Sequence, residues 1–252
     1  MQDAERDKPV CGDTYARAFM NEQGLQILET FKDETRPNTS NVARHRIIDD
    51  LLRQELTATP NLTVVIIGAG FDTRAFRLKG GTWIELDEPQ VITYKDERLP
   101  ASTGNNELHR ISIDFAVDSL EQKLAPFSGR NPVVVVIEGV LMYLEEAAID
   151  QLLQTLHRLF PQHKLICDLM TRDFFDNYAK TLHQKITGMG TSFKFTVDTP
   201  EAVFLENGYR RTEEIPIVEK SVVFEAPEIP SSVLDTIRPT LPQGYSVYVF
   251  EI

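Results

Sequence analysis

The sequence predicts an α/β fold, doubly wound around a mostly parallel sheet. Three observations lead there. From about residue 60, short β-branched runs alternate with helical patterns. Several of those runs are apolar nearly throughout, as strands covered on both faces are. The first of them ends in a Gly-x-Gly turn, Gly68-Ala69-Gly70, where backbone can bend sharply with no Cβ in the way. Strands alternating with helices imply right-handed crossovers and parallel pairing.

The first sixty residues read as a helical cap. Between residues 41 and 56, Ile47, Ile48, Leu51, Leu52 and Leu56 recur at helical spacing. Ser40 or Asn41 can cap that helix, and the cluster Arg36-Pro37-Asn38-Thr39-Ser40 before it reads as a loop. Arg44 precedes Ile47 and Ile48 by three and four residues, so it projects from the apolar face, where a charge needs a partner. A snorkelling arginine or an internal salt bridge meets that need. So does an arginine that reaches a ligand carboxylate.

Strands are expected at Thr63–Ile67, 82–86, 108–113, Val133–Ile137 and 164–169. Ala101-Ser102-Thr103-Gly104-Asn105-Asn106 reads as a loop between the second and third. The clearest helix follows the fourth strand, with Ile149, Leu152, Leu153, Leu156 and Phe160 in one stripe. Residues 171–190 mix Phe174, Phe175, Tyr178 and Met189 with many charges and read as a mobile helical lid. After Phe193-Lys194-Phe195 comes a helix at 200–206, stopped by Asn207-Gly208, then strands at 209–218 and 245–252. The expected plan is one domain over residues 1–252, with a cap (1–60), a cofactor-binding core (61–170), a lid (171–198) and a closing helix and strands (199–252).

Composition narrows the function. The chain has 252 residues, and 26 basic against 38 acidic side chains give a net charge of −12. Such a chain repels phosphate backbones and anionic membrane surfaces, so nucleic-acid and membrane partners are not expected. Cys11 and Cys167 stand far apart with no C-x-x-C, so free thiols and no zinc or redox site are expected. Residues 1–9 lack an apolar signal core and no apolar run approaches a membrane span, which reads as cytoplasmic. G-x-S-x-G, a phosphate loop ending in Gly-Lys and H-E-x-x-H are absent.

The chemistry gathers where strands end, because ligands of open α/β sheets bind off the strands' carboxyl ends. At Gly68-Ala69-Gly70-Phe71-Asp72-Thr73 a dinucleotide fingerprint would want glycine at 73, and Asp72 would repel a pyrophosphate at the helix start. Asp72 also reads as a plain N-cap. Asp87, seventeen residues after Gly70, is near the ~20-residue offset at which an acid meets ribose hydroxyls. Glu85 is its rival, or a solvated strand residue. Asp114 and Phe115 end the third strand and offer an acceptor, a backbone N–H and a flat face. Glu138 follows five apolar residues at the mouth of the site. Acids at successive strand ends suit a cationic nucleoside without phosphate, such as S-adenosylmethionine.

The run Gly68-Ala69-Gly70-Phe71-Asp72-Thr73-Arg74-Ala75-Phe76-Arg77-Leu78 resembles the signature of the leucine carboxyl methyltransferase family, which includes bacterial O-methyltransferases linked to polyketide-type small molecules. Ala43-Arg44, Glu85-Leu86-Asp87 with Pro89 and Lys95, Ile113-Asp114-Phe115 and Glu138-Gly139-Val140-Leu141-Met142-Tyr143-Leu144 match as well. The resemblance covers about residues 40–170 and extends more thinly from Phe193-Lys194-Phe195 through Gly208-Tyr209. It implies a Rossmann-like fold of the class I methyltransferase type, using S-adenosylmethionine. It implies Arg44 at the methionine carboxylate, Gly68 at the cofactor backbone, Asp87 rather than Glu85 at the ribose, Asp114 and Phe115 at the adenine, and Glu138 near the amino group. Gly70 and Asp72 complete the expected cofactor loop. The family commonly has leucine where Phe115 stands, a change that a backbone contact survives.

The expected activity is methyl transfer to a carboxylate or hydroxyl of a small molecule, an in-line displacement that rests on alignment. A carboxylate needs no base near neutral pH, whereas a phenol benefits from one. Of His45, His109, His157, His163 and His183 only the last falls in the lid, where a surface histidine is the plainer reading, so no catalytic residue is assigned. Phe174, Phe175, Tyr178 and Phe193 are the candidate acceptor pocket, or simply lid packing. The competing functions are an NAD(P)-dependent oxidoreductase, disfavoured by Asp72 and Thr73, a non-catalytic relative that binds S-adenosylmethionine, and methylation of a protein C-terminal carboxylate. The last is disfavoured by the little room left for insertions after the third strand. Oligomeric state has no signature in the sequence.

Overall fold

The computed structural model describes residues 3–33, 35–188, 190–225 and 230–252. Met189, assigned to the lid by sequence, lies outside them. Seven strands form one sheet in the order β3-β2-β1-β4-β5-β7-β6. They are β1 (Thr63–Ile67), β2 (Thr82–Asp87), β3 (Glu107–Ser112), β4 (Val133–Ile137), β5 (His163–Met170), β6 (Arg210–Pro216) and β7 (Tyr245–Glu251). The first five are parallel, and β7 runs antiparallel between β5 and β6. The doubly wound, mostly parallel α/β architecture expected from sequence is therefore what the chain adopts. The winding reverses between β1 and β4, the switch point beyond whose carboxyl ends open α/β sheets hold ligands in a crevice.

The helices, in chain order, are α1 (Glu22–Phe31), α2 (Thr35–Ala58), α3 (Arg74–Arg77), α4 (Pro89–Arg98), α5 (Leu120–Leu124), α6 (Glu146–Leu159), α7 (Arg172–Phe174), α8 (Lys180–Thr187), α9 (Ala202–Glu206), α10 (Ile217–Glu225) and α11 (Ser231–Ile237). One π-helical turn, Phe175–Ala179, joins α7 to α8.

Alternation along the strands divides the core. Val65 and Ile67 of β1 face Ile149, Leu153 and Leu156 of α6, while Val64 and Ile66 face Ile47, Ile48, Leu51, Leu52 and Leu56 of α2. Every residue of β1 and β4 is buried, which is why those two runs read as continuously apolar. Full burial of each such side chain contributes about 1.5–3 kcal/mol.

The larger differences from the sequence reading lie in α2, β6 and α11. α2 begins at Thr35, so Arg36-Pro37-Asn38-Thr39-Ser40 is its first turns and not a loop, and neither Ser40 nor Asn41 is its cap. Proline is accommodated there because first-turn N–H groups have no helical acceptor anyway. The strand expected at 209–218 stops at Pro216, and α10 takes over. Proline donates nothing to a sheet, and Ile217 and Ser221, one turn apart, are both buried. α11 was not anticipated. Within the segment read as a helical lid, residues 172–187 are helical, and Lys194 and Phe195 then donate backbone N–H groups to Met142 O at 2.7 and 3.2 Å. Among the described residues, no helix is long and apolar enough to cross a membrane.

Candidate functional site

The glycine loop is the floor of the crevice. Gly68 (φ +70°) and Gly70 (φ +46°) lie in the left-handed region that favours glycine. Gly68 and Ala69 both donate to Leu86 O at 2.9 Å, which ties the loop to the end of β2. Gly70 N donates to Asp87 Oδ2 at 2.6 Å, and Glu88 N to Asp87 Oδ1 at 2.7 Å. Asp87 is thus fixed by two backbone N–H groups, with one lone pair free on each oxygen. No atom lies within 4 Å of where a Cβ on Gly70 would stand, so a ligand can approach the backbone there.

The end of β3 meets the same place. Ile113 N donates to Asp87 O at 3.0 Å, which brings Asp114 and Phe115 alongside. Asp114 Oδ1 accepts from Ala116 N at 2.9 Å, and Phe115 N reaches Glu88 Oε1 at 3.4 Å. Phe71 and Phe115 keep 47% and 45% of their surface exposed, so each offers a free ring face. Phe71 stacks on Phe19, ring centroids 4.9 Å apart. Among the described residues neither Asp87 nor Asp114 has a cationic partner.

Glu85, the rival to Asp87, is neither at the ligand nor solvated. It is wholly buried, with Lys95 Nζ at 2.7 Å and Arg110 Nε at 3.0 Å. Burial outweighs those cations and raises its pKa.

Asp72 and Glu138 are clamped by arginines. Arg74, with no exposed side-chain surface, donates from Nη1 to both Asp72 and Glu138 (2.8 Å to Glu138 Oε2), and from Nε to Asp49 Oδ1 at 2.7 Å. Asp72 also accepts from Arg74 N at 2.6 Å, but the N-cap of α3 is Thr73, so Asp72 is not the plain N-cap that the sequence also allowed. His45, Asp72 and Glu138 are close enough to share an ion, but Arg74 already bonds all three. Burial works against the charge on Glu138, yet Arg74, His45 and Arg44 hold its pKa well below the usual carboxylate range.

Arg44 finds the partners its position on α2 demanded. Its Nε donates to Glu138 Oε1 at 3.1 Å, and its Nη1 to Asp168 Oδ2 at 3.0 Å and Tyr245 Oη at 2.7 Å. The acids are therefore not a uniform negative ring. Asp87 and Asp114 keep their charge open at the β2–β3 side, and the β4 side is a paired network with Arg44 at its edge.

Beyond Arg44 and Gly139 lies a cavity of about 730 Å³. Its walls are mainly apolar, with Met142, Tyr143, Phe174, Tyr178 and Phe193 among them, and Arg44 is the sole formally charged lining residue among those described. Three of the four aromatic residues proposed from sequence line it. Phe175 does not, and packs instead against His183 and Phe193. His183 accepts from Phe193 N at 3.1 Å and does not line the cavity. The structure thus brings all eight sequence-predicted residues, Arg44, Gly68, Gly70, Asp72, Asp87, Asp114, Phe115 and Glu138, to the strand ends. Asp49, Arg74, Asp168 and Tyr245 were not singled out. A lone acid inside the apolar run of β5 was the signal available for Asp168.

Comparison with known proteins identifies the family and the fold. The family model described as leucine carboxyl methyltransferase matches residues 1–157. A protein of Mycobacteroides abscessus, named as a candidate S-adenosyl-L-methionine-dependent methyltransferase, is 33% identical over 150 residues, covering 55% of this chain and 48% of its own. A Mycobacterium tuberculosis protein of the same description is 30% identical over 194 residues, covering 66% of this chain and 56% of its own. The chain spans about half the length of these curated relatives. Among solved structures, magnesium protoporphyrin IX methyltransferase from Synechocystis PCC 6803 with bound SAH superposes with a TM-score of 0.55 at 12% identity, over 94% of this chain and 98% of that one. Mycolic acid cyclopropane synthase complexed with SAH and CTAB gives 0.53 at 13% identity, over 83% and 84%. At such identities the likeness is one of fold, that of the class I methyltransferases.

Proposed function

Because the chain belongs to the leucine carboxyl methyltransferase family, we propose that it is an S-adenosylmethionine-dependent O-methyltransferase acting on a small apolar molecule, and that residues 1–252 work as one methyltransferase domain. The observation that carries this reading is that Arg44, which lines an apolar cavity of about 730 Å³, bonds Glu138 at the end of β4, and Glu138 is joined through Arg74 to Asp72 of the glycine loop.

The residues present fit the cofactor. Asp87 has an acceptor lone pair on each oxygen for ribose hydroxyls, and Gly70 leaves its approach open. Asp114 accepts from an exocyclic amine, and the exposed rings of Phe71 and Phe115 offer flat apolar faces. Arg44 supplies a cation for a carboxylate. When bound, such a cofactor provides an electrophilic methyl group on sulfur. The protein's own part is to align it with the acceptor and keep water out of the cavity, and alignment of that kind contributes about 7–11 kcal/mol to lowering a barrier.

The cavity favours a carboxylate over a hydroxyl acceptor. Its described lining holds no Asp, Glu, His or Lys. Burial raises the pKa of Tyr143 and Tyr245, so these phenols stay protonated near neutral pH. No lining side chain is then suited to take a proton from a hydroxyl, whereas a carboxylate is already ionised, with a pKa of about 4.

The test is transfer of a labelled methyl group from S-adenosylmethionine to an extract of small organic acids, with calorimetric titration of S-adenosylmethionine and NADH beside it. A labelled methyl ester together with S-adenosylmethionine binding is expected. Tight NADH binding without S-adenosylmethionine binding overturns the reading.

A further inference from the structure

Arg44 is held from three sides. Glu138 Oε1 takes its Nε at 3.1 Å, while Asp168 Oδ2 and Tyr245 Oη share its Nη1 at 3.0 and 2.7 Å. Tyr245 Oη in turn donates to Asp168 Oδ2 at 3.0 Å. The other oxygen of Asp168 accepts from Gly139 N at 2.6 Å. A single carboxylate, 1% exposed in the middle of β5, therefore ties together α2, the turn after β4 and β7.

One nitrogen of the guanidinium is left over. Arg44 Nη2 makes no hydrogen bond among the described residues, and Arg44 lines the cavity. The guanidinium is planar, so fixing Nε and Nη1 fixes where Nη2 points. Gly139, at φ +67°, keeps that edge clear, since a Cβ there would stand 3.0 Å from Nη2.

We propose that Asp168 and Tyr245 are positioning residues that hold the Arg44 guanidinium so that its free Nη2 edge meets the carboxylate of the methionine moiety. This rests on the proposed S-adenosylmethionine site. Both residues lie outside the span matched by the family model, residues 1–157. Neither contacts the ligand in this assignment, and both act through Arg44. Burial works against the charge on Arg44, and Asp168, Tyr245 and Glu138 outweigh it and raise its pKa. Asparagine at 168 still accepts from Gly139 N, but its amide turns a donor toward Arg44 and Tyr245, so the clamp opens while the turn stays tied.

The experiment titrates S-adenosylmethionine and decarboxylated S-adenosylmethionine, which lacks only that carboxylate, into wild type, Asp168→Asn, Tyr245→Phe and Arg44→Met. Wild type is expected to prefer the carboxylated ligand by about tenfold or more, the range for a hydrogen bond to a charged group. In Asp168→Asn that preference collapses, with affinity for the decarboxylated ligand unchanged. Tyr245→Phe, which keeps the buried ring, reduces the preference to an intermediate value. Arg44→Met abolishes it, and adding Asp168→Asn to Arg44→Met changes nothing further. Equal weakening of both ligands in Asp168→Asn and Tyr245→Phe means a merely structural role and overturns the proposal, as does an undiminished preference. If wild type binds neither ligand, the proposed function itself fails, which is a different result from either.

Discussion

Arg74 donates to Glu138 across the strand ends at 2.8 Å while its side chain is entirely out of solvent. The same guanidinium bonds Asp49 and Asp72, so one cation is shared by three acids drawn from α2, the glycine loop and the end of β4, with Arg77 also on Asp49 and Arg44 also on Glu138. Removing one partner of a buried pair leaves uncompensated charge and costs about 3–5 kcal/mol. Arg74→Met is therefore expected to lose that much unfolding free energy in urea denaturation. A loss below about 1 kcal/mol, the scale of an exposed pair, would show that the network relaxes without it.

The same network sets an acid limit on stability. The folded-state pKa of Glu138 lies below its unfolded value, and so does that of Asp49, where Arg74 and Arg77 overcome burial. Depressed carboxylates stabilise the fold above their unfolded pKa and lose that contribution as pH falls through the folded one. Wild type should lose stability steeply below about pH 4.5. In Glu138→Gln that part of the slope disappears. Urea midpoints compared at neutral pH and on the acid limb measure it, and parallel slopes for the two proteins would count against the assignment.

Asp87 has no cationic partner among the described residues, so its charge is available to a ligand. At a concentration of 100 Kd, a ligand stabilises the folded state by about 2.7 kcal/mol. A variant with about 100-fold weaker binding gains only about 0.4 kcal/mol at that concentration. Asp87→Asn is expected to lose most of the stabilisation that S-adenosylmethionine confers in thermal melts. An unchanged ligand-induced shift would remove Asp87 from the ribose role.

Much of the sheet was legible because its information is local. Val64, Val65, Ile66 and Ile67 are β-branched, consecutive and followed by glycine, and nothing outside the run is needed to read a buried strand. The offset of seventeen residues from Gly70 to Asp87 was legible too, but the hydrogen bond that joins them was not. What stayed hidden was contact order. Arg74 meets Glu138 across 64 residues, and Arg44 meets Tyr245 across 201. A reading along the chain therefore left Glu138 as an open acid, when its charge is already taken. The end of β6 was hidden for another reason: Ile215, Ile217 and Val218 extend a strand as plausibly as they start a helix, and Pro216 is the break between them.

The cavity separates two neighbouring aromatic residues. Tyr178 lines it and Phe175 does not, although both lie in the π-helical turn. Tyr178→Ala should raise the acceptor's KM more than Phe175→Ala, whose ring packs on His183 and Phe193. Phe175→Ala should instead lower the melting temperature, by loss of apolar contact. Steady-state kinetics with one methylated acid, beside melting curves, reads both. A larger KM change in Phe175→Ala would reassign the wall.

Gly68 combines two constraints that a pair of substitutions can separate. Its φ of +70° disfavours any side chain, at about 1–2 kcal/mol for an L-residue. A Cβ there would also stand 2.4 Å from Val140 Cγ2, a contact that cannot exist without displacing the turn after β4. Gly68→Ala should thus cost both the backbone strain and the clash, whereas Val140→Ala alone costs only lost packing. In the double variant the clash is gone and the strain remains, so the double should be more stable than the sum of the single losses predicts. Urea denaturation of the three variants gives that coupling directly. Simple additivity would mean that Val140 moves aside freely and that backbone conformation alone requires glycine at 68.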